Sequence, residues 1–250
     1  MIKLERGSQP EHLTDEKIKE LVNIFKANGT AVWNDDKIKE ALSKSSHYKC
    51  AYCECSISEE SKYMEVEHFE HKDKYKDKVV SWSNLLPACK RCNIAKGTHD
   101  TREVPIVNPF DQDPKNHLYF RLYRFKGIDE LGSDTIEAID LNNYDRVVSK
   151  RFEVGEQIQS SLDVAEERYE SYLDSKTTRR RNRLINVIET MLRECQPSAI
   201  YSATSATVLF SDTKFHKIKA KMEEIGLWQE HLETLYQNAL PLALRLDKPE

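Results

Sequence analysis

Glycine and proline are scarce in this chain, at 7 and 8 of 250 residues, and no apolar run approaches a membrane span, which needs roughly 18 residues. With so few turn-formers and such long charged-apolar stretches, helix is expected to dominate. The opening residues, MIKLERGSQPEHLTDEK, lack the apolar segment of a secretory signal. The protein is therefore expected to stay where thiols are reduced, so paired cysteines argue for metal rather than disulfides. An excess of positive charge is missing too: the net charge is −4, so any attraction to nucleic acid has to be local. Hydrophobic residues at 39% beside 32% charged residues exclude a disordered chain, and the length allows one large domain or two small ones.

Six cysteines are present, and four form two Cys-x-x-Cys pairs, Cys50/Cys53 and Cys89/Cys92. Each pair can place two sulfurs on one edge of a tetrahedron, and two pairs complete a four-thiolate zinc site. Thirty-five residues separate Cys53 from Cys89, so the metal would staple the two ends of a long insertion and tie binding to folding. Cys55 could replace Cys53 but reads as a bystander. Cys195, in an apolar helical run, reads as a small buried hydrophobe.

The insertion carries Glu67-His68, and Asn93 follows the last cysteine. Hydrolysis of a phosphodiester needs a base that takes a proton from water and a cation that stabilises the leaving oxygen, both in fixed geometry. Histidine suits the base, while a carboxylate and an amide oxygen suit a hard ion such as Mg2+. On a strand, Glu67 and His68 point to opposite faces, so they share a site only if the strand is distorted or ends there.

Thr14 and Asn34 are candidate caps of two N-terminal helices separated by Gly29. Met64–Phe69 alternates as a strand, and a short helix through Asn93–Lys96 should end at Gly97. Leu118–Phe125 reads as a strand whose hairpin partner is Thr135–Ile139. From Tyr144 onward the pattern is helical, with Pro197 and Asp212 as helix starts and Gly226 as a stop. Between Lys72 and Arg102, Lys72, Lys74, Lys76, Lys78, Lys90, Arg91, Lys96 and Arg102 face only Asp73, Asp77 and Asp100, a candidate phosphate surface. A second basic cluster, Lys176 to Arg183, reads as a solvated face or a protein contact.

Cys50-x-x-Cys53, Val66-Glu67-His68-Phe69, Asn84-Leu85-Leu86-Pro87-Ala88-Cys89 and Cys92-Asn93-Ile94-Ala95-Lys96-Gly97 together resemble the HNH endonuclease motif, a ββα-metal fold with zinc knuckles. The resemblance implies that His68 is the general base and that Glu67 and Asn93 bind a catalytic Mg2+ or Mn2+. It also implies that Asn84 fixes the loop carrying the base through backbone hydrogen bonds and that Lys96 holds a phosphate; from the basic cluster around the motif, Lys72, Lys90 and Arg91 are the further candidate nucleic-acid contacts. Glu67 stands where most of the family carries aspartate. Glu70-His71-Lys72 departs from the usual proline, which leaves His71 open as a metal ligand, a phosphate contact or a surface histidine.

Cys50-Ala51-Tyr52-Cys53-Glu54, Trp82-Ser83-Asn84, Val107-Asn108-Pro109-Phe110-Asp111 and Ile139-Asp140-Leu141-Asn142 resemble one branch of that family, the nuclease subunit of Septu-type anti-phage systems, found also beside some retrons. The branch implies an ABC/SMC-like ATPase partner, a hetero-oligomer and a bacterial cytoplasmic location. The expected architecture is α+β and mostly helical: N-terminal helices over 1–45, the HNH module with a small hairpin over 46–142, and a helical region over 143–250 for partner docking. DNA is the default substrate and RNA stays open. The competing readings are a non-catalytic zinc module that binds nucleic acid or protein, and a regulatory subunit of an ATPase.

Overall fold

A computed structural model describes residues 1–58 and 64–249 and divides the chain into two compact units, Met1–His117 with Gly127–Asn142, and Leu118–Lys126 with Asn143–Glu250. Among the described residues the architecture is mostly helical with two small sheets, an α+β chain.

In the first unit, helix α1 (Asp15–Asn28) is capped by Thr14, which accepts from the Lys17 amide, and ends at Gly29 in the left-handed region. The cap of helix α2 (Asp36–Ser45) is Asp35 rather than Asn34. The Asn34 amide donates to Ala31 O at 3.0 Å, closing the preceding turn, and the Asp35 carboxylate accepts from the Ile38 amide at 3.0 Å.

Strands β1 (Met64–His68) and β2 (Leu85–Cys89) pair antiparallel, from Met64 opposite Cys89 to His68 opposite Leu85. Alternation sorts β1 onto two faces. Val66 packs with Leu13, Ile38, Leu42, Trp82 and Leu85 in one apolar cluster. Glu65 and Glu67 look the other way, toward helix α3 (Lys90–Lys96), which packs on both strands. Gly97 ends α3 at φ +50°, ψ −120°, a conformation that side chains resist, and its amide closes the turn on Asn93 O.

The expected pairing of Thr135–Ile139 with a strand is wrong: these residues lie in helix α4 (Glu130–Ile139). Asp129 starts that helix by accepting from the Gly132 amide at 2.8 Å, and a cap plus one turn outweighs the β-branched character of Thr135 and Ile136.

In the second unit, the expected strand over Leu118–Phe125 is folded on itself into β3 (Leu118–Arg121) and β4 (Arg124–Gly127), whose last residue belongs to the first unit. Leu122 and Tyr123 form the turn with φ of 49° and 62°, the primed geometry that hairpins favour, without the Asn-Gly signal that normally announces it. Packing supplies what propensity does not. Tyr123 stacks edge-on against Phe120 and Phe152, and its ring lies on Gly155, where a Cβ would sit 2.3 Å from the ring.

Helices α5 (Ser149–Asp174), α6 (Thr178–Glu194), α7 (Ser202–Ser211), α8 (Thr213–Glu224) and α9 (Glu230–Ala239) share one apolar core that includes Leu162, Ile188, Phe215 and Cys195. Burial pushes the Cys195 thiol above its ordinary range. Asp212 caps α8, whereas Pro197 sits in a turn and α7 begins only at Ser202, after Tyr201 in the left-handed region. Arg180, from the basic cluster, donates to Ser171 O at 2.6 Å, satisfying a carbonyl that the end of α5 leaves open.

Candidate active site

Two short segments bring the four cysteines together. The first knuckle is a tight turn, with the Cys50 amide donating to Cys55 O and Glu54 at φ 64°. The Ala51 amide ties it to Pro87 O on β2. The second knuckle straddles the end of β2 and the first turn of α3. The Sγ atoms of Cys50, Cys53, Cys89 and Cys92 lie within 4.8 Å of one another, and all four cysteines are buried and free of disulfides. Cys53 and Cys89 Sγ are 3.7 Å apart. A tetrahedral zinc with Zn–S near 2.3 Å needs sulfur–sulfur edges of about 3.8 Å, so the cage fits that ion. Hydrogen bonds from neighbouring thiols hold Cys53 and Cys89 well below the ordinary thiol range, while burial pushes Cys50 and the neighbouring thiols push Cys92 well above it, so a metal has to displace protons from that second pair. Cys55 is also buried, with Cys50, Cys53 and Cys89 all acting on its thiol.

His68 ends β1 and is buried beside Trp33, with ring centroids 4.6 Å apart in an edge-on contact. Its Nε2 lies 2.9 Å from Val79 O. A carbonyl can only accept, so Nε2 carries the proton and Nδ1 is the nitrogen able to take one. Burial lowers the imidazole to about 4, opposed by the Val79 hydrogen bond and reinforced by the charges of Lys72, Lys96 and His71. The ring is therefore neutral at ordinary pH. His71 itself is partly buried, lowered chiefly by burial, and 3.7 Å from Asp73.

The loop between β1 and β2 is held by Asn84. Its Oδ1 accepts from the Glu70 amide at 2.7 Å, and its Nδ2 donates to Glu70 O and Lys78 O, both at 3.1 Å. The Phe69 amide donates to Asn84 O as well, so one buried asparagine closes both ends of the loop that delivers Val79 to His68.

Glu67 is buried on the opposite face from His68. Its carboxyl is pushed up to about 7 by burial, against the pull of Lys96. Lys96 is buried too, not out where a phosphate could reach it. Its Nζ lies 2.6 Å from Glu67 Oε1 and donates to His68 O at 2.8 Å. The ammonium sits off the line of a well-directed hydrogen bond to Oε1, so that oxygen is charge-paired but has no true donor among the described residues. Lys96 is thus the group that touches both halves of the Glu-His dipeptide. The Asn93 Nδ2 donates to Glu65 Oε2 at 2.6 Å, a partner that the motif alone does not name. Carboxylate and amide oxygens fit a hard divalent ion, and Lys96 already offsets one of their charges.

Most of the expected basic surface is spoken for. Lys74 pairs with Asp100 and Glu103, while Lys78 and Arg102 both pair with Glu70 at 2.8 Å. Glu70 and Glu103 flank the stretch from Lys72 to Arg102, so part of its positive charge is met by carboxylates just outside it. Lys72 sits 5.9 Å over the Trp33 ring and 3.9 Å from Asp73, Lys90 is exposed, and Arg91 is partly exposed. The signals that could have found Glu65 and Trp33 were the i, i+2 spacing of Glu65 and Glu67 and the need for an apolar wall behind a buried imidazole.

Residues 50–99 match the HNH endonuclease family. A Septu protein PtuB from Bacillus thuringiensis is 43% identical over 243 residues, covering 96% of this chain and 93% of its own length. A Septu protein PtuB from Bacillus mycoides (strain KBAB4) is 29% identical over 204 residues, covering 64% of this chain and 68% of its own. No solved structure matches the chain. No helix among the described residues is long and apolar enough to cross a membrane. The likeness to the first relative runs over nearly the whole of both chains, so the chain belongs to the Septu PtuB family of HNH proteins.

Proposed function

We propose that this chain is a metal-dependent HNH endonuclease that hydrolyses phosphodiester bonds, with DNA as the default substrate and RNA open. We further propose that it is the nuclease effector of an anti-phage complex with an ABC/SMC-like ATPase subunit, in the bacterial cytoplasm, in some settings beside a retron. The observation that carries the reading is the neutral His68, proton fixed on Nε2 by Val79 O, at the end of a strand stapled between two thiolate knuckles.

In this reading, His68 Nδ1 takes the proton from the attacking water, and Asn84 keeps the loop behind the ring from shifting. Glu67 and Asn93 would hold Mg2+ or Mn2+, which supplies stabilisation of charge on the leaving oxygen. Zn2+ on the four cysteines is structural. Lys72, Lys90 and Arg91 are the proposed phosphate contacts; Lys96 is assigned instead to Glu67. The proposed division is N-terminal helices over 1–45, the nuclease module over 46–142 and a helical region over 143–250 that carries the docking surface for the ATPase.

A non-catalytic zinc module draws support from the burial of His68 and the Lys96 pair on Glu67. Glu67→Ala and Asn93→Ala variants separate the two readings when co-purified with the partner and assayed on plasmid DNA and total RNA with Mg2+ or Mn2+. Loss of cleavage with zinc retained is expected, and cleavage at the wild-type rate would remove the ion assignment.

A further inference from the structure

Two carboxylates alternate on the face of β1 that looks at α3, and α3 meets each with one side chain. Glu67 faces Lys96 at 2.6 Å and Glu65 faces Asn93 at 2.6 Å, so the i, i+2 step of the strand matches the i, i+3 step of the helix. The two contacts differ in what they fix. The first neutralises a buried charge. The second orients an amide: a carboxylate has only acceptors, so the Asn93 group it touches must be the NH2, and Oδ1 is turned away from Glu65. Glu65 is partly exposed rather than buried, so nothing in the packing of the strand demands a carboxylate there.

We propose that Glu65 is a positioning residue for the divalent-ion site, locking the Asn93 amide so that Oδ1 faces the cation. The inference rests on the nuclease reading, in which Asn93 is a ligand. An unrestrained asparagine presents its oxygen and its NH2 with similar ease, and the NH2 repels a cation. A ligand whose far side is hydrogen-bonded avoids that loss, and removing such a partner typically weakens metal affinity by roughly 10–100-fold. Glutamine at position 65 keeps an acceptor of the same reach and should therefore keep the lock.

The test is Mn2+ binding to the zinc-loaded full chain, followed by electron paramagnetic resonance and calorimetry with no nucleic acid present, so the readout is affinity rather than turnover. Glu65→Ala is expected to weaken Mn2+ by roughly 10–100-fold and Glu65→Gln by far less. In an Asn93→Ala background, Glu65→Ala should cost nothing further, because its effect passes through that amide. Equal Mn2+ affinity of wild type and Glu65→Ala overturns the proposal and leaves the ion site standing. Additive losses overturn it in another way, making Glu65 a ligand in its own right. Absence of Mn2+ binding by the wild-type chain overturns both this inference and the divalent-ion reading beneath it.

Discussion

The two units solve the problem of holding a buried interior by different means. The helical unit buries an apolar cluster from five helices, and its buried polar groups are mostly small hydroxyls, such as Ser202, Thr204 and Thr207, with Arg151 the one buried charge among its described residues. The first unit buries Lys49, Glu54, Glu67, His68, Asn84 and Lys96 and gathers four thiols at one point. Apolar packing tolerates exchange of one hydrophobe for another of similar volume, whereas buried charges and thiolates tolerate only their partners. The unit that spends stability on buried polar groups is the unit with the candidate site.

Stripping the zinc should break that comparison most sharply. A structural zinc site contributes about 10–16 kcal/mol of apparent free energy, so a strong chelator, or Cys89→Ser, is expected to unfold the first unit. Trp33 and Trp82 report on that unit and Trp228 on the helical one, so single-tryptophan variants read the two separately. The expected result is a chelator-induced red shift for Trp33 or Trp82 with Trp228 unchanged.

Next in size is the buried ion pair. Lys96→Met leaves Glu67 buried without its counter-charge and should cost about 3–5 kcal/mol in urea unfolding. Adding Glu67→Gln should recover much of that loss, because the double variant has no orphaned charge. If the two losses simply add, the pair is not the reason Lys96 is buried.

In the helical unit, Leu162→Ala removes a fully buried side chain from a core without polar partners and should cost about 2–5 kcal/mol. Leu162→Met should cost less than about 1.5 kcal/mol, the tolerance that the buried charges and thiols of the first unit lack.

The last expected effect is a pH slope. His68 titrates near 4 in the folded chain against an ordinary 6.5, so the unfolded state binds the proton first. Its contribution to stability is complete above 6.5 and is lost as pH falls from there toward 4. Glu67, raised from 4.5 to about 7, tilts the profile the other way over an overlapping range, so the test is the difference between wild type and His68→Gln. The variant should lose the rise in stability that His68 gives between 4 and 6.5, and equal slopes in the two proteins would contradict the buried neutral ring.

What was legible in the sequence follows the same division. The thiolate pairs, Glu67-His68, Asn84 and Asn93 were readable because their chemistry fixes residue type and spacing. The resemblance implies a phosphate role for Lys96, but its position one turn after Asn93 on a helix packed against β1 turns it inward. Glu65 was passed over because the motif names the dipeptide and not the face it shares. In the helical unit, Thr14-like capping signals and apolar periodicity were readable, as at Asp212, but the Leu122–Tyr123 turn was not. That turn depends on Gly155, which lies 32 residues further along the chain and is in contact with Tyr123 only after folding.

The account stands most directly on one comparison, wild type against His68→Ala, each purified with its bound partner and given plasmid DNA and total RNA with Mg2+ or Mn2+. The expected result is cleavage by the wild type that falls roughly 10²–10⁴-fold in the variant, with zinc content and folding unchanged. Cleavage by both forms at equal rates would contradict His68 as the base, and cleavage by neither, with zinc and partner bound, would contradict the nuclease reading itself.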